Sequence, residues 1–167
     1  MKRFLPVVPY LIFLALFIPL SETNAQNAAV KNTIPPFRIL LTNMQYLKAA
    51  ELDKNLLKLI VYFDPTCEHC KTFTADLLKH EKDLAKTQII MISYTPIDQV
   101  KTFETEFNLT KYRNIKIGTE GTTFVVRYFY NIERFPFVAL YDKKGMLAAT
   151  YKEPSSANEL VQKVKKI

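Results

Sequence analysis

The chain of 167 residues contains few of the residues that build several common kinds of site. Its three glycines exclude a glycine-rich phosphate-binding loop, and we expect no organic cofactor. It has only two cysteines and two histidines, and a zinc site built on the cysteines would need two further ligands. Dense basic blocks and base-stacking motifs are also missing, so we expect no nucleic-acid partner.

The N-terminal segment bears on the compartment in which the protein works. Lys2 and Arg3 precede an apolar run over residues 4–20, which is followed by small and polar residues. This order is typical of a secretory signal peptide. We expect cleavage after Ala25, and Ala28 is the second choice. A retained membrane anchor is the alternative, although the run is short for a bilayer span of about 20 residues and contains prolines.

These features predict a signal peptide over residues 1–25, a loose leader over 26–33 and one domain over 34–167. The expected location is the periplasm or another extracytoplasmic space, with membrane contact only if the signal is uncleaved. The formal net charge is +7, but the basic residues are spread along the sequence and are weak evidence for a polyanionic partner.

The two cysteines, Cys67 and Cys70, lie three positions apart in the segment FDPTCEHC. A disulfide between them closes too short a loop to stabilise the fold much. Two thiols and the imidazole of His69 could hold copper(I), but nothing in the sequence completes such a site. We favour a dithiol that opens and closes, with metal transport and an inert disulfide as the alternatives, and we predict no metal site.

The segments on either side of the cysteines favour this interpretation. Residues 56–63 form an apolar run typical of a buried strand, and residues 68–86 have apolar side chains at helical spacing. Cys67 therefore lies where a strand ends and a helix begins, and unpaired helix N–H groups stabilise a thiolate there. We expect Cys67 to attack disulfides and Cys70, one turn into the helix, to resolve the mixed disulfide.

The rest of the chain alternates between strands and helices. Between these elements, residues 111–118 are predicted to be irregular and to include at most a short extended piece. A capping box formed by Ser156 and Glu159 is expected to open the last helix. The predicted strands are residues 34–41, 88–94, 135–141 and 146–151, with a hairpin turn at 142–145, and the predicted helices are 95–107, 122–130 and the segment after Pro154.

The order of these elements resembles the thioredoxin superfamily. The block YFDPTCEHCKTF, the N-terminal extension and the proline-led strand at Pro136 are most similar to its TlpA/ResA-like extracytoplasmic thiol–disulfide oxidoreductases. The resemblance implies an α/β thioredoxin-like fold, in which helices flank a central mixed β-sheet and an N-terminal extension is added. It also implies a cis Phe135–Pro136 bond beside the dithiol, with the Phe135 backbone, Pro136 and Thr66 contacting substrate.

Three positions depart from the family pattern. Thr66 replaces the usual tryptophan before the first cysteine, and Phe135 stands where threonine is commonest. Val61 replaces thioredoxin's buried acid, which relays a proton to the second cysteine. Asp64, Glu68 or water must then serve as the relay, or turnover is slow.

The resemblance implies exchange of disulfides with exported client proteins, as a reductant supplied by a membrane electron donor. His69 favours the Cys67 thiolate, as the matching histidine of DsbA-type oxidases does, whereas the charge of Glu68 opposes it. The direction of exchange therefore stays open, and His69 is alternatively a solvated helix residue. A DsbA-like oxidase and a non-enzymatic copper(I)-binding module are the alternative functions. The peroxidase pattern is excluded, because Pro65 and Thr66 directly precede Cys67.

Overall fold

The computed structural model describes residues 32–167, so the predicted signal peptide lies outside the described residues. In residues 32–167 no helix has the length and apolar character needed to cross a bilayer. Two residues of the predicted leader, Asn32 and Thr33, are described, and both contact the chain where the strand Leu147–Lys152 begins. Leu147 donates its N–H to the Asn32 carbonyl at 2.8 Å, and Thr33 forms an antiparallel bridge with Met146.

A mixed seven-stranded sheet forms the centre of the described residues. Its strands are β1 (Arg38–Leu41), β2 (Tyr46–Lys48), β3 (Leu57–Tyr62), β4 (Thr87–Ser93), β5 (Ile115–Thr119), β6 (Phe137–Tyr141) and β7 (Leu147–Lys152). Their spatial order is β2-β1-β5-β4-β3-β6-β7. Strands β3, β4 and β5 run parallel to one another, whereas β1 and β6 pair antiparallel with them.

Helices cover both faces of this sheet. They are α1 (Glu68–Lys79), α2 (Ile97–Glu106), α3 (Val125–Tyr130) and α4 (Asn158–Val164), with single 3-10 turns at Ala49–Glu51, Leu109–Lys111 and Gly121–Thr123. Apolar side chains of α1, α2 and α4 are buried in one core cluster, and those of α3 and the N-terminal extension in the other. The predicted fold class is therefore confirmed, including the extension that adds β1 and β2.

The side chains of β3 point alternately into the two core clusters. Leu59 and Val61 point into the cluster under α1, whereas Ile60 and Tyr62 point into the cluster under α3. Every residue of β3 is buried, as expected for a central strand covered on both faces.

The structure corrects the prediction for three segments. Within residues 111–118, expected to be irregular apart from a short extended piece, the extended piece is most of β5, a full member of the sheet between β1 and β4. Helix α1 ends at Lys79 rather than at residue 86. Leu84 lies in the turns that follow the helix, and its side chain is buried there. Strand β2 was not predicted; short and mostly exposed, it lacks the apolar alternation that identifies a strand.

The capping box at α4 was also a wrong prediction. Helix α4 begins after Ala157, with no hydrogen bond from a side chain of that cap residue. The carboxylate of Asp76 in α1 instead accepts the Ala157 N–H at 2.8 Å and the Ser156 hydroxyl at 3.1 Å. The Ser156 hydroxyl also accepts the Asn158 N–H at 3.1 Å, so Ser156 contacts the first turn of α4 without the reciprocal Glu159 bond of a capping box.

Candidate functional site

The dithiol lies at the edge of the sheet where the parallel strands end. Cys67 is the N-cap residue of α1, and its N–H donates to the Asp64 carbonyl at 3.1 Å. Its half-buried thiol donates to the Phe135 carbonyl at 3.8 Å. The Phe135–Pro136 peptide bond is cis, as the resemblance implied.

Cys70, one helical turn further, is in a different environment. Its side chain is fully buried in the core cluster under α1, and both cysteines are free thiols. Burial raises the pKa of the Cys70 thiol far above its ordinary value; a hydrogen bond from the Asp64 backbone opposes this shift, and the Cys67 thiol and the Asp64 charge add to it. Cys70 therefore stays protonated, and Cys67 is the thiol that an outside molecule can reach.

Asp64 holds the turn that leads into Cys67. Its carboxylate accepts hydrogen bonds from the Thr66 N–H at 2.8 Å, the Thr66 hydroxyl at 2.7 Å and the Tyr94 hydroxyl at 2.7 Å. Burial opposes ionisation, but the three hydrogen bonds together hold the pKa of Asp64 below its ordinary value. The exposed Thr66, predicted to contact substrate, thus has its side chain engaged within the turn.

An aromatic cluster lies beside Phe135. The Phe135 ring centroid is 5.9 Å from that of Tyr62 and 5.8 Å from that of Tyr94. The Arg127 guanidinium carbon is 5.6 Å from the Phe135 centroid and 5.3 Å from the Tyr94 centroid, within the range of cation–π attraction. These contacts fix the segment that precedes the cis proline.

Glu120 is a buried carboxylate on the other side of this cluster. It accepts the Tyr62 hydroxyl at 2.7 Å, and the N–H groups of Val126 at 2.9 Å and Arg127 at 3.4 Å. Burial, followed by the Glu120 contact, raises the pKa of Tyr62. Glu120 therefore joins the end of β5 to β3 and to the first turn of α3.

His69 points to the opposite side of the dithiol. Its exposed ring places Nδ1 3.5 Å from Oε1 of Glu153, the residue that follows β7. Glu153 donates its N–H to the Pro136 carbonyl at 2.8 Å, and its Oε2 is 3.3 Å from Arg134 Nη1. His69 and Glu153 border a depression of about 410 Å³, which is also lined by Thr72, Pro154 and Ser155.

Glu68, also predicted to act in catalysis, is exposed and faces Lys71. The Lys71 Nζ is 3.6 Å from Glu68 Oε1 and 3.5 Å from Glu106 Oε1. The charge of Glu106, followed by that of Glu68, raises the pKa of Lys71. Through Lys71, Glu68 is thus linked to Glu106 of α2.

The fold gathers the predicted site residues at one edge of the sheet, although their contacts differ from those expected. Sequence reasoning missed Tyr94, Glu120, Arg127 and Glu153. A signal existed for two of them. Tyr94 directly follows β4 and Glu120 directly follows β5, and parallel strands end at one edge of the sheet. Glu153 and Arg127 reach the site through β7 and α3, and no local pattern predicted either contact.

A surface depression of about 580 Å³, larger than the one beside His69, lies elsewhere. It is lined by residues of β1, β5 and the turn at Leu109–Lys111, without a cysteine or histidine. Within residues 32–167, no group of three or more His, Cys, Asp and Glu side chains is placed to hold a metal ion. The chemistry of the cysteines therefore makes the dithiol edge the candidate site.

Tyr94→Phe should destabilise the protein by about 1–2 kcal/mol near neutral pH, because it removes a hydrogen bond to the ionised Asp64. The lowered pKa of Asp64 means that this stabilisation is present above the unfolded-state pKa and is lost as the pH falls through the folded-state value. Urea unfolding of both proteins should therefore give different midpoints near neutral pH, and midpoints that converge in acid as the pH falls through the folded-state pKa of Asp64.

Tyr128→Phe is the matched control, since it removes a hydroxyl from a tyrosine that is 75% exposed. It should leave the unfolding midpoint unchanged at both pH values. A Tyr94→Phe effect that persisted unchanged in acid would contradict the assignment to the Asp64 contact.

No family model and no curated protein sequence matches the chain. Solved structures do match it. A secreted Mycobacterium tuberculosis disulfide oxidoreductase, homologous to E. coli DsbE, superimposes with a TM-score of 0.66 at 16% identity, covering 79% of this chain and 96% of that one. A thioredoxin-family thiol:disulfide interchange protein from Chlorobium tepidum gives 0.65 at 17% identity, covering 81% and 94%.

A peroxiredoxin-like protein from Aquifex aeolicus gives a TM-score of 0.67 at 18% identity, covering 82% of this chain and 86% of that one. Likeness at these identities establishes the fold. The chain is a thioredoxin-fold protein, with a Cys-x-x-Cys pair at the start of its first helix and a cis proline beside it. Several of its structural neighbours are thiol–disulfide oxidoreductases.

Proposed function

We propose that the protein is an extracytoplasmic thiol–disulfide oxidoreductase that reduces disulfides of exported client proteins. The observation that supports this most is the contrast between the two thiols. The accessible Cys67 lies at the helix N-terminus against Phe135, and the protonated Cys70 is buried behind it. This is the arrangement that an attacking thiol and a resolving thiol require.

The exchange proceeds in two steps. The Cys67 thiolate attacks one sulfur of a client disulfide, the client S–S bond breaks, and a Cys67–client disulfide forms while the released client thiolate takes up a proton. Cys70 then loses its proton and attacks the Cys67 sulfur, forming the Cys67–Cys70 disulfide and releasing the second client thiol. Two electrons pass to the client, and a membrane electron donor restores the dithiol.

The client segment would lie against Phe135. In the described part of the chain, the Phe135 N–H has no hydrogen-bond partner, and its carbonyl contacts only the Cys67 thiol. An extended client chain would therefore pair with this backbone. The depression between His69 and Glu153 would receive client side chains on one side of the dithiol.

We assign Asp64 as the carboxylate that accepts the proton from Cys70. Val61 is fully buried and supplies no acid, and Glu68 faces Lys71. The charge of Asp64, in contrast, acts on the Cys70 thiol. Its lowered pKa makes Asp64 a weak base for a thiol whose pKa is raised, so the resolving step should be slow.

The acidic groups around the dithiol support the reducing direction that we propose. The charge of Asp64 disfavours a thiolate at Cys70, and the Glu153 carboxylate lies 3.5 Å from the His69 imidazole, where it offsets positive charge beside the dithiol. When the thiolate of the reduced form is little stabilised, the reduced form is less stable and the couple acts as a reductant. We expect a reduction potential near about −270 mV, measured by equilibration with glutathione, and a potential near about −120 mV would identify an oxidase.

His69→Ala should shift this potential by less than about 30 mV, because Glu153 faces the imidazole. His80→Ala is the matched control, since His80 lies at the far end of α1 beside Asp83. A larger shift in His69→Ala alone would mean that His69 sets the direction. Failure of the pair to form a disulfide, together with tight copper(I) binding, would instead favour the metal-binding alternative.

A further inference from the structure

The edge of the sheet opposite the dithiol collects basic side chains that are scattered along the sequence. Strands β3 and β4 begin there, since Leu57 pairs with Thr87, and β6 ends there, since Lys58 pairs with Tyr141. One depression of about 330 Å³ joins the start of β3, the turns after α1, the β6–β7 turn and the end of α4. We call this the lysine edge, comprising the exposed Lys54, Lys82, Lys86, Lys143, Lys144 and Lys165.

Positive charge dominates the lysine edge. Its carboxylates are Asp53, Glu81, Asp83 and Asp142, fewer than its lysines, and most of them are engaged. Asp83 lies 3.0 Å from Lys165 Nζ, and Asp53 and Asp142 accept backbone N–H groups within their turns. The Nζ of the buried Lys58 adds a further positive charge, held 2.8 Å from the Lys143 carbonyl.

Apolar side chains are exposed among these lysines. Met146 in the β6–β7 turn is 44% exposed, and Ile167 after α4 is 47% exposed. Lysines interspersed with exposed apolar groups are typical of protein surfaces that lie on a bilayer, where the ammonium groups meet lipid phosphates. A soluble polyanion would contact the lysines but not the exposed apolar side chains.

The chain also enters the domain at this edge. Asn32 pairs with Leu147 and Thr33 with Met146, both at the β6–β7 turn. The residues that precede Asn32 therefore join the domain at the lysine edge and not at the dithiol. Strand β3 separates the two edges by about 20 Å, at roughly 3.3 Å per residue.

We propose that the lysine edge is a docking surface for an anionic lipid bilayer, which leaves the dithiol facing the aqueous space. The proposal rests on the proposed extracytoplasmic location for its setting. The binding itself requires neither cysteine. Clients would then approach from the side away from the bilayer.

The test measures co-sedimentation of the full chain with two kinds of vesicle, phosphatidylcholine alone and phosphatidylcholine with phosphatidylglycerol. Because the apolar run of residues 4–20 would add to binding to both kinds of vesicle, the readout is the ratio of the two partition coefficients. We expect this ratio to be about tenfold or more at low salt and to approach one at high salt, where screening shortens the electrostatic range.

The triple variant K82Q/K86Q/K143Q should lose most of the preference for anionic vesicles. The matched control K48Q/K111Q/K116Q removes equal charge from exposed lysines on β2, β5 and the turn before β5, and should keep the preference. A wild-type ratio near one, an unchanged ratio in the triple variant or an equal loss in the control would overturn the proposal. So would binding to heparin that exceeds binding to vesicles.

Two further readouts separate this proposal from the proposed function. Disulfide reductase activity in solution should be the same in both triple variants and the wild type, so its absence from all three would count only against the proposed function. On vesicles, Cys67 should keep its reactivity with a water-soluble maleimide. Protection of Cys67 by vesicles would overturn the orientation.

Discussion

Cys67→Ser should lower the rate of disulfide reduction by at least about 10³-fold, because it removes the attacking sulfur. Cys70→Ser should lower multiple-turnover activity to a similar extent for a different reason. It keeps the half-buried attacking thiol against Phe135 and removes the buried one that resolves the mixed disulfide. Reduction of insulin, followed by its turbidity, measures both losses.

Trapping distinguishes the two variants. Cys70→Ser should accumulate a covalent adduct with a disulfide-containing client, seen as a dithiothreitol-sensitive band on a non-reducing gel. Cys67→Ser should form none, because the remaining Cys70 is buried and protonated at neutral pH. Adduct formation by Cys67→Ser alone would reverse the assigned roles, and adducts with neither variant would contradict the exchange mechanism.

Gly118→Ala should destabilise the protein by about 3 kcal/mol, the upper end of the usual cost of overpacking. A Cβ built at Gly118 in β5 lies 2.4 Å from the Leu40 carbonyl oxygen of β1 and 3.1 Å from the Leu41 Cα. These are backbone atoms of a paired strand, so they cannot move aside as the end of a flexible side chain can. Urea unfolding measures the loss as a lower midpoint.

Gly121→Ala is the control for this change. A Cβ at Gly121 meets nothing within 4 Å, but the residue has φ of +59°, so alanine should cost only about 1–2 kcal/mol of backbone strain. Equal destabilisation by the two variants would contradict the close pairing of β1 with β5. That pairing fastens the N-terminal extension to the sheet.

Local patterns were sufficient for most of the fold. The apolar run at residues 56–63 and the helical spacing after Cys67 placed the dithiol at a strand–helix junction, where α1 begins at Glu68. The segment at residues 122–130 was predicted as a helix from its place between Gly121 and the next strand, and α3 confirms it. Strand β5 was harder to predict because it is short and includes Gly118, whose backbone approaches β1 closely.

The site was only partly predictable. Adjacent residues could be assigned to it, because Cys67, Cys70 and their neighbours act within one helical turn. The partners of these residues could not be assigned, since each contact joins segments far apart in the chain. Tyr94 bonds to Asp64 and Glu153 faces His69 because strands β4 and β7 end at the dithiol edge.

The sequence by itself determined the reacting groups, because a Cys-x-x-Cys pair between a buried strand and a helix is a local pattern. It also determined the thioredoxin-like order of strands and helices, through apolar periodicity that repeats along the chain. Only the tertiary structure decided which carboxylates surround the dithiol and where the scattered lysines gather. Burial and distance between remote charges depend on strand order and direction, and these arise only when the sheet assembles.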